Sequence, residues 1–351
     1  MSEQVKPMKI KKQRGLMVFL KARTFVALIA LIVIFAILEP KFMEFEALKS
    51  ITKHVARYAI LGIGMTFVII SGGIDLSVGS IAGLSGMVCG GLIAQGIVMQ
   101  NAGQVVFLNV WVVVLAALAV GLAVGLLNGF LVSFLKIPAF IATLGTMYIA
   151  RGAAMLTNNG QTFPNLVGKE EWGNTGFPFL GAGEFLGIPI IIWAMIALAV
   201  LTVFILKKTP LGWHIFATGG NENAAKLSGI RVRSTKMFVY ALSGVCAALT
   251  GVFAASELVA SHPNTGDSWE MNAIAASVLG GTSMAGGIGG VGGTIVGAFV
   301  IGVLTDGMIM LGISSFWQMI IKGAVIVIAV IVDQSQSELQ KKVALQQQSE
   351  A

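Results

Sequence analysis

The sequence predicts an all-α, polytopic membrane protein with about ten transmembrane helices and one short helix on the cytoplasmic side. Three observations predict it. Hydrophobic residues fill 56% of the 351 positions and charged residues only 11%, under half the ~25% typical of soluble domains. Mean hydropathy is +0.87. From Leu76 to Leu135 there is no Asp, Glu, Lys or Arg. As one helix that stretch would run about 90 Å, against a hydrocarbon core of ~30 Å. It must double back, and Gln100-Asn101-Ala102-Gly103-Gln104 is the polar break where it can turn.

Taken in order, the apolar segments place spans at 24–39, 54–71, 76–98, 106–135, 138–156, 185–206, 237–260, 272–285, 288–312 and 315–332. The first ends at Glu39-Pro40 without the small-residue site of a cleaved leader, so it reads as a retained span. The eighth is short enough to be partly re-entrant. The chain divides into a basic tail (1–23), a transmembrane domain (24–333) and a second tail (334–351).

Charge sets the orientation. Lys6, Lys9, Lys11, Lys12, Arg14, Lys21 and Arg23 stand against Glu3 alone in residues 1–23. Lys207, Lys208, Lys226, Arg231, Arg233 and Lys236 stand against Glu222 alone in 207–236. Basic residues clustered beside spans mark the cytoplasmic side. They therefore signal topology and the lipid bilayer rather than nucleic acid. Ten spans put both termini and loop 207–236 inside, and loop 157–184 outside. Segment 39–53 also falls outside, with three lysines balanced by Glu39, Glu44 and Glu46.

Glycines recur at four-residue spacing, as in Gly121-Leu-Ala-Val-Gly125 and Gly293-Thr-Ile-Val-Gly297, which lets helix backbones approach closely. Ser71-Gly-Gly-Ile-Asp75 and Leu279-Gly-Gly-Thr-Ser283 hint at an internal duplication. No G-x-x-x-x-G-K-[ST], H-E-x-x-H or G-x-S-x-G occurs, so the chain carries no common nucleotide cradle, zinc-protease helix or nucleophile elbow. Gly287-Ile-Gly-Gly-Val-Gly292 fits G-x-G-x-x-G by letter, but no βαβ unit surrounds it. The scattered histidines form no metal motif, and no cofactor is expected. Cys89 and Cys246, deep in apolar segments, read as small buried hydrophobes.

Loop 207–236 is the most informative stretch. Asn221 suits an N-cap, Glu222 the positive first turn, Lys226 the last turn, and Gly229 the left-handed position after the helix. The result is a helix of about two turns carrying Ala224, Ala225 and Leu227. It serves either as a docking surface for a cytoplasmic partner or as a plain connector.

Five stretches together resemble the permease subunits of bacterial ABC importers for monosaccharides, the ribose-permease type. They are Ser71-GGIDLSVGS-Ile81, Leu127 to Gly152, Ile215 to Ile230, Trp269 to Gly287 and Ser314 to Asp333. The resemblance implies an ATP-driven importer in the inner membrane. Two permease chains, identical or different, would stand over separate ATP-binding subunits, with a sugar-binding protein outside. It also implies that this chain is not itself an enzyme. The family's coupling segment maps onto Gly212, Gly219, Gly220, Asn221, Ala224, Ala225, Ser228 and Gly229. Trp213 and His214 depart from its pattern, where a basic residue usually follows the glycine.

Several polar residues lie in or beside spans. Asp75 reads as the N-cap of the third span, or else as a solute ligand. Asn128, Thr143, Asn272 and Ser277 are uncharged, as the walls of a sugar passage would be. The same residues also suit ordinary interhelical hydrogen bonds. Arg151 reads as snorkelling from an outer helix end or lining an entrance.

Overall fold

The computed structural model describes residues 24–99 and 103–331. Both tails, 1–23 and 334–351, lie outside the described residues, and so does the expected assignment of those tails. Thirteen α-helices occupy the described chain. They are α1 (Thr24–Leu38), α2 (Phe45–Ile70), α3 (Val78–Ala94), α4 (Val110–Ser133), α5 (Ala139–Leu156), α6 (Phe177–Ala182) and α7 (Ile190–Lys208). The rest are α8 (Pro210–Gly220), α9 (Glu222–Leu227), α10 (Val232–Leu258), α11 (Trp269–Leu279), α12 (Val291–Met310) and α13 (Ser315–Ile331). Six of these, α2, α4, α5, α7, α10 and α12, are long and apolar enough to cross a membrane.

Two antiparallel ribbons complete the fold: β1 (Ile97–Met99) with β2 (Gln104–Val106), and β3 (Glu184–Phe185) with β4 (Ile188–Pro189). The first brings Ile97 opposite Val106. The charge-free run thus reverses at the polar break, as its length requires.

Several boundaries differ from those the hydropathy predicts, three of them with a clear structural reason. The second helix starts at Phe45, not near residue 54, and its first turns carry Lys49, Lys53, His54 and Arg57. Those polar side chains are tolerated because each has a partner. Lys53 Nζ lies 3.0 Å from Glu257 Oε1, and Arg57 Nη2 lies 2.5 Å from Glu257 Oε2. His54 Nδ1 sits 2.9 Å from Asp306 Oδ1, and Lys49 pairs with Glu184. An ionised group among apolar helices is costly unless it pairs in this way. The seventh apolar helix starts at Val232, so the expected loop 207–236 is mostly helical. The eighth, α11, has only 11 residues and stops at Leu279.

That stop has a local cause. Gly281 takes φ +87°, donating its N–H to Val278 O, while Thr282 N–H reaches back to Ser277 O. The end of α2 repeats this pattern: Gly72 takes φ +83° and donates to Ile69 O, and Gly73 N–H reaches Val68 O. Both are Schellman ends, in which glycine supplies the left-handed conformation that a Cβ disfavours. The two similar sequence motifs therefore end two helices in the same way.

At the centre, α10 packs against α2, α3 and α4. Residues 59–70 of α2 are buried without a break. A Cβ at Gly125 of α4 would collide with the Tyr240 carbonyl oxygen, and one at Gly244 of α10 with the Gly121 carbonyl oxygen. On the other side, Gly297 and Gly293 of α12 bring that helix onto Ala276 of α11 and Gly280 just after it. Backbone approach of this kind gains dispersion contacts that larger side chains would hold apart.

Candidate coupling segment and polar hub

The basic stretch forms a pair of helices rather than one. In α8, Thr209 caps the N-terminus and Pro210 opens the first turn, where its missing N–H costs nothing. Gly212, Ile215 and Thr218 are buried at a three-residue interval, so this face points inward. Trp213, on the opposite face, is 70% exposed. Gly212 has to be small because α8 folds back over the end of α7: a Cβ there would strike the carbonyl oxygens of Leu206 and Ile205.

The second helix, α9, carries the capping read from its sequence. Asn221 Oδ1 accepts from Ala224 N–H at 3.0 Å. Gly229 takes φ +83°, its N–H donates to Lys226 O, and Ile230 N–H closes onto Ala225 O. Glu222 accepts from Lys226 Nζ at 2.5 Å and from Lys236 Nζ at 2.7 Å. Lys226 and then Lys236 hold its carboxyl below the ordinary carboxylate range. The clamp fixes α9 to the first turn of α10. Ala224 and Ser228 are exposed, but Ala225 is buried within the chain, so Ala225 anchors α9 instead of facing outward. The outward apolar side chain is Leu227, 90% exposed. Together with Trp213, it is the large apolar surface of this segment.

The adjoining glycines Gly219 and Gly220 differ sharply. A Cβ at Gly219 would overlap the Ile70 carbonyl oxygen and lie 2.8 Å from Gly287 N. At Gly220 it would meet nothing within 4 Å. The same Ile70 carbonyl accepts from Gly287 N–H at 2.8 Å. The end of α8 is thus seated against the C-terminus of α2 and the glycine loop that follows α11.

Above this seat lies a buried polar hub. The helix α3 begins at Val78 with Ser77 before it, and Asp75 accepts from Ser77 N–H two residues on, the bond a capping side chain makes. Asp75 lies two residues earlier, in a side-chain turn of the kind Asp favours. Its Oδ1 accepts from Ser77 N–H at 3.0 Å and Ser77 Oγ at 2.6 Å, and its Oδ2 from Ser243 Oγ at 2.8 Å. Asn128 Nδ2 donates to Ser77 Oγ at 2.8 Å, and Thr146 Oγ1 to Asn128 Oδ1 at 2.6 Å. Thr143 Oγ1 joins through Ile74 O at 3.4 Å and also bonds Ala139 O. One carboxylate so ties α3, α4, α5 and α10 together, and every partner is buried.

Ser277 belongs to a separate cluster, donating to Gly62 O at 3.0 Å and accepting from Thr66 Oγ1 at 3.1 Å. The side chain of Asn272 is 8% exposed and makes no hydrogen bond among the described residues. The structure thus brings Asn128 and Thr143 together and leaves Asn272 and Ser277 apart from them. Arg151 is held by backbone carbonyls. Its Nη1 donates to Pro263 O at 2.5 Å and Thr265 O at 2.8 Å, pinning α5 to the loop before α11.

The model of one protein family, described as the permease component of the branched-chain amino acid transport system, matches residues 48–330. This chain belongs to that family. The permease is 40% identical to the ribose import permease of Haemophilus influenzae, over 90% of this chain and 93% of that one. It is 40% identical to the ribose import permease of Bacillus subtilis, over 90% and 94%. Identity to the L-arabinose transport system permease of Escherichia coli is 33%, over 88% of each chain. No solved structure matches it. The match takes in the α8–α9 pair, the glycine seat and the whole of the hub.

Proposed function

We propose that this permease is the membrane subunit of an ATP-driven importer that carries a monosaccharide or related polyol across the bacterial inner membrane. The single observation that carries the reading is α8–α9, a capped and clamped helix pair with Trp213 and Leu227 exposed and Gly219 seated on α2. Two large apolar side chains on a polar, basic segment suit a partner that covers them. A rigid seat against the end of a central helix lets movement of that partner reach the bundle.

In this reading Gly212, Gly219, Gly220, Asn221, Ala224, Ala225, Ser228 and Gly229 form the coupling segment. Exposed positions meet the ATP-binding subunit, while Gly212, Gly219 and Ala225 keep the segment attached to the bundle. About ten helices cross the bilayer, with both termini and α8–α9 on the cytoplasmic side. A second permease chain completes the passage, and a sugar-binding protein delivers the cargo from outside. Asn272 is the foremost candidate wall residue, since its amide has no partner among the described residues. Asn128, Thr143 and Ser277 line the passage only if the cycle exchanges their present bonds for cargo hydroxyls. Asp75 is a structural tie rather than a cargo ligand, its oxygens being already engaged.

The family description favours a second cargo, a branched-chain amino acid. The names of the relatives speak for sugar, as do the uncharged candidate wall residues, which offer nothing to pair with an ammonium and carboxylate. The test is reconstitution of the permease with its ATP-binding subunit and binding protein in proteoliposomes. ATP-dependent uptake of a labelled pentose, exceeding that of leucine, is expected, and the permease alone should hydrolyse no ATP. Leucine uptake in place of sugar would reject the cargo. Labelling of a cysteine at position 220 from outside intact cells, in a variant lacking Cys89 and Cys246, would reject the topology.

A further inference from the structure

Beside the coupling segment, the start of α10, the α4–α5 turn and the Ser71-Gly72-Gly73 turn enclose a cavity of about 520 Å³. Its lining holds four basic side chains, Lys136, Lys226, Arg233 and Lys236, against one carboxylate, Glu222. Lys226 and Lys236 already share that carboxylate at 2.5 and 2.7 Å. Lys136 and Arg233 have no acidic partner among the described residues. The Arg233 guanidinium lies 5.2 Å from the centroid of the Phe134 ring, and Lys136 holds the left-handed backbone conformation, φ +56°.

A second feature borders the same space. Ser133, the last residue of α4, lines the cavity with 7% of its surface exposed. Its hydroxyl has no hydrogen-bond partner among the described residues, a situation that ordinarily costs ~1–3 kcal/mol. The cavity is therefore bordered by a buried serine whose hydroxyl has no partner and by two exposed cations, Lys136 and Arg233, that have no acidic partner among the described residues. A transient positive surface for water would not need the buried hydroxyl.

We infer that this cavity is an anion site that takes a phosphate monoester. A phosphate presents three terminal oxygens to these three donors, and charge-assisted bonds from Arg and Lys are the strong ones. The volume exceeds that of a bare phosphate and falls in the ~300–1,000 Å³ range of small-molecule sites, leaving room for an organic group. The occupant would bridge the α4–α5 turn to α10 beside α9, and so touch the element proposed to couple the partner's movement. The geometry does not depend on the proposed cargo. A soluble ester and the headgroup of phosphatidic acid offer the same chemistry.

The experiment uses the full chain in phosphatidylcholine nanodiscs, titrated calorimetrically with glycerol 3-phosphate. A second arm uses nanodiscs containing phosphatidic acid, with retained lipid read by native mass spectrometry. Saturable binding of glycerol 3-phosphate is expected, weakened about tenfold or more by Arg233→Gln or Lys136→Gln. Both side chains are exposed, so folding is not at stake. Ser133→Ala should weaken it as well while leaving thermal unfolding unchanged or improved. Retention of phosphatidic acid alone, lost in the same variants, assigns the site to a lipid headgroup. Binding of neither probe, or equal binding by wild type and variants, overturns the inference, and a seat for an acidic partner side chain would then be the better reading.

Discussion

Adjacent glycines at the end of α8 offer a controlled perturbation, because the same methyl group meets backbone at one and open space at the other. At Gly219 an added Cβ would overlap the Ile70 carbonyl oxygen and stand 2.8 Å from both Ile70 C and Gly287 N. Non-bonded carbons pack at ~3.5–4.0 Å, so α8 would have to retreat by on the order of 1 Å. All the obstructing atoms are backbone and cannot rotate away. Overpacking of this kind costs ~1–3 kcal/mol. Alanine's better helix propensity offsets up to ~1 kcal/mol of that. At Gly220 nothing lies within 4 Å, so only the propensity gain applies. The two variants should therefore differ by ~1–3 kcal/mol, which is about 5- to 150-fold in an equilibrium between two seatings of α8. The assay is ATP-dependent uptake in reconstituted vesicles, with membrane abundance and thermal unfolding measured on the same preparations. Gly219→Ala should lower uptake at least ~5-fold relative to Gly220→Ala, which should resemble wild type. If the two transport alike, seating of α8 on α2 plays no part in coupling.

Gly229→Pro should abolish uptake with insertion intact, because proline cannot adopt φ +83° and deletes the N–H given to Lys226 O. Leu227→Asp, on a side chain 90% exposed, should leave stability within ~0.5 kcal/mol yet prevent co-purification with the ATP-binding subunit. Normal transport by both variants would reduce the segment to a connector. The Glu222 clamp has a defined pH sign. Its carboxyl is held below the ordinary value of 4.5, so the stabilisation is complete above that value and fades only as pH falls through the lower, folded one. Since the Glu222 side chain is 39% exposed, solvent screening keeps the contribution small. Amide protection across residues 222–236, corrected for the intrinsic pH dependence of exchange, should be flat from mildly basic pH down to about pH 5. A loss of protection already near neutrality would mean that some other group controls the segment.

Much of this permease could be read from its chain alone. Low charge and high hydropathy placed it in the bilayer, and the length of the charge-free run forced a reversal that β1 and β2 deliver. The capping of α9 was legible residue by residue, because Asn221, Glu222, Lys226 and Gly229 act within one short helix. The family was legible from five separated stretches. Partnership across the chain was not. Lys49 and Lys53 looked like loop residues, since hydropathy scores a charge without knowing its partner. Glu184, Glu257 and Asp306, up to 252 residues away in sequence, make that region helical. Asp75 read as a cap, and its local pattern could not show Ser243 arriving from α10 as a further partner. Ala225 looked as outward as Ala224, and only packing against the bundle separates them. Capping, helix termination and hydropathy depend on neighbours along the chain, so the sequence determined them. Ion pairing, the seat of Gly219 and the cavity around Ser133 depend on which helices meet, and that was decided by the tertiary structure.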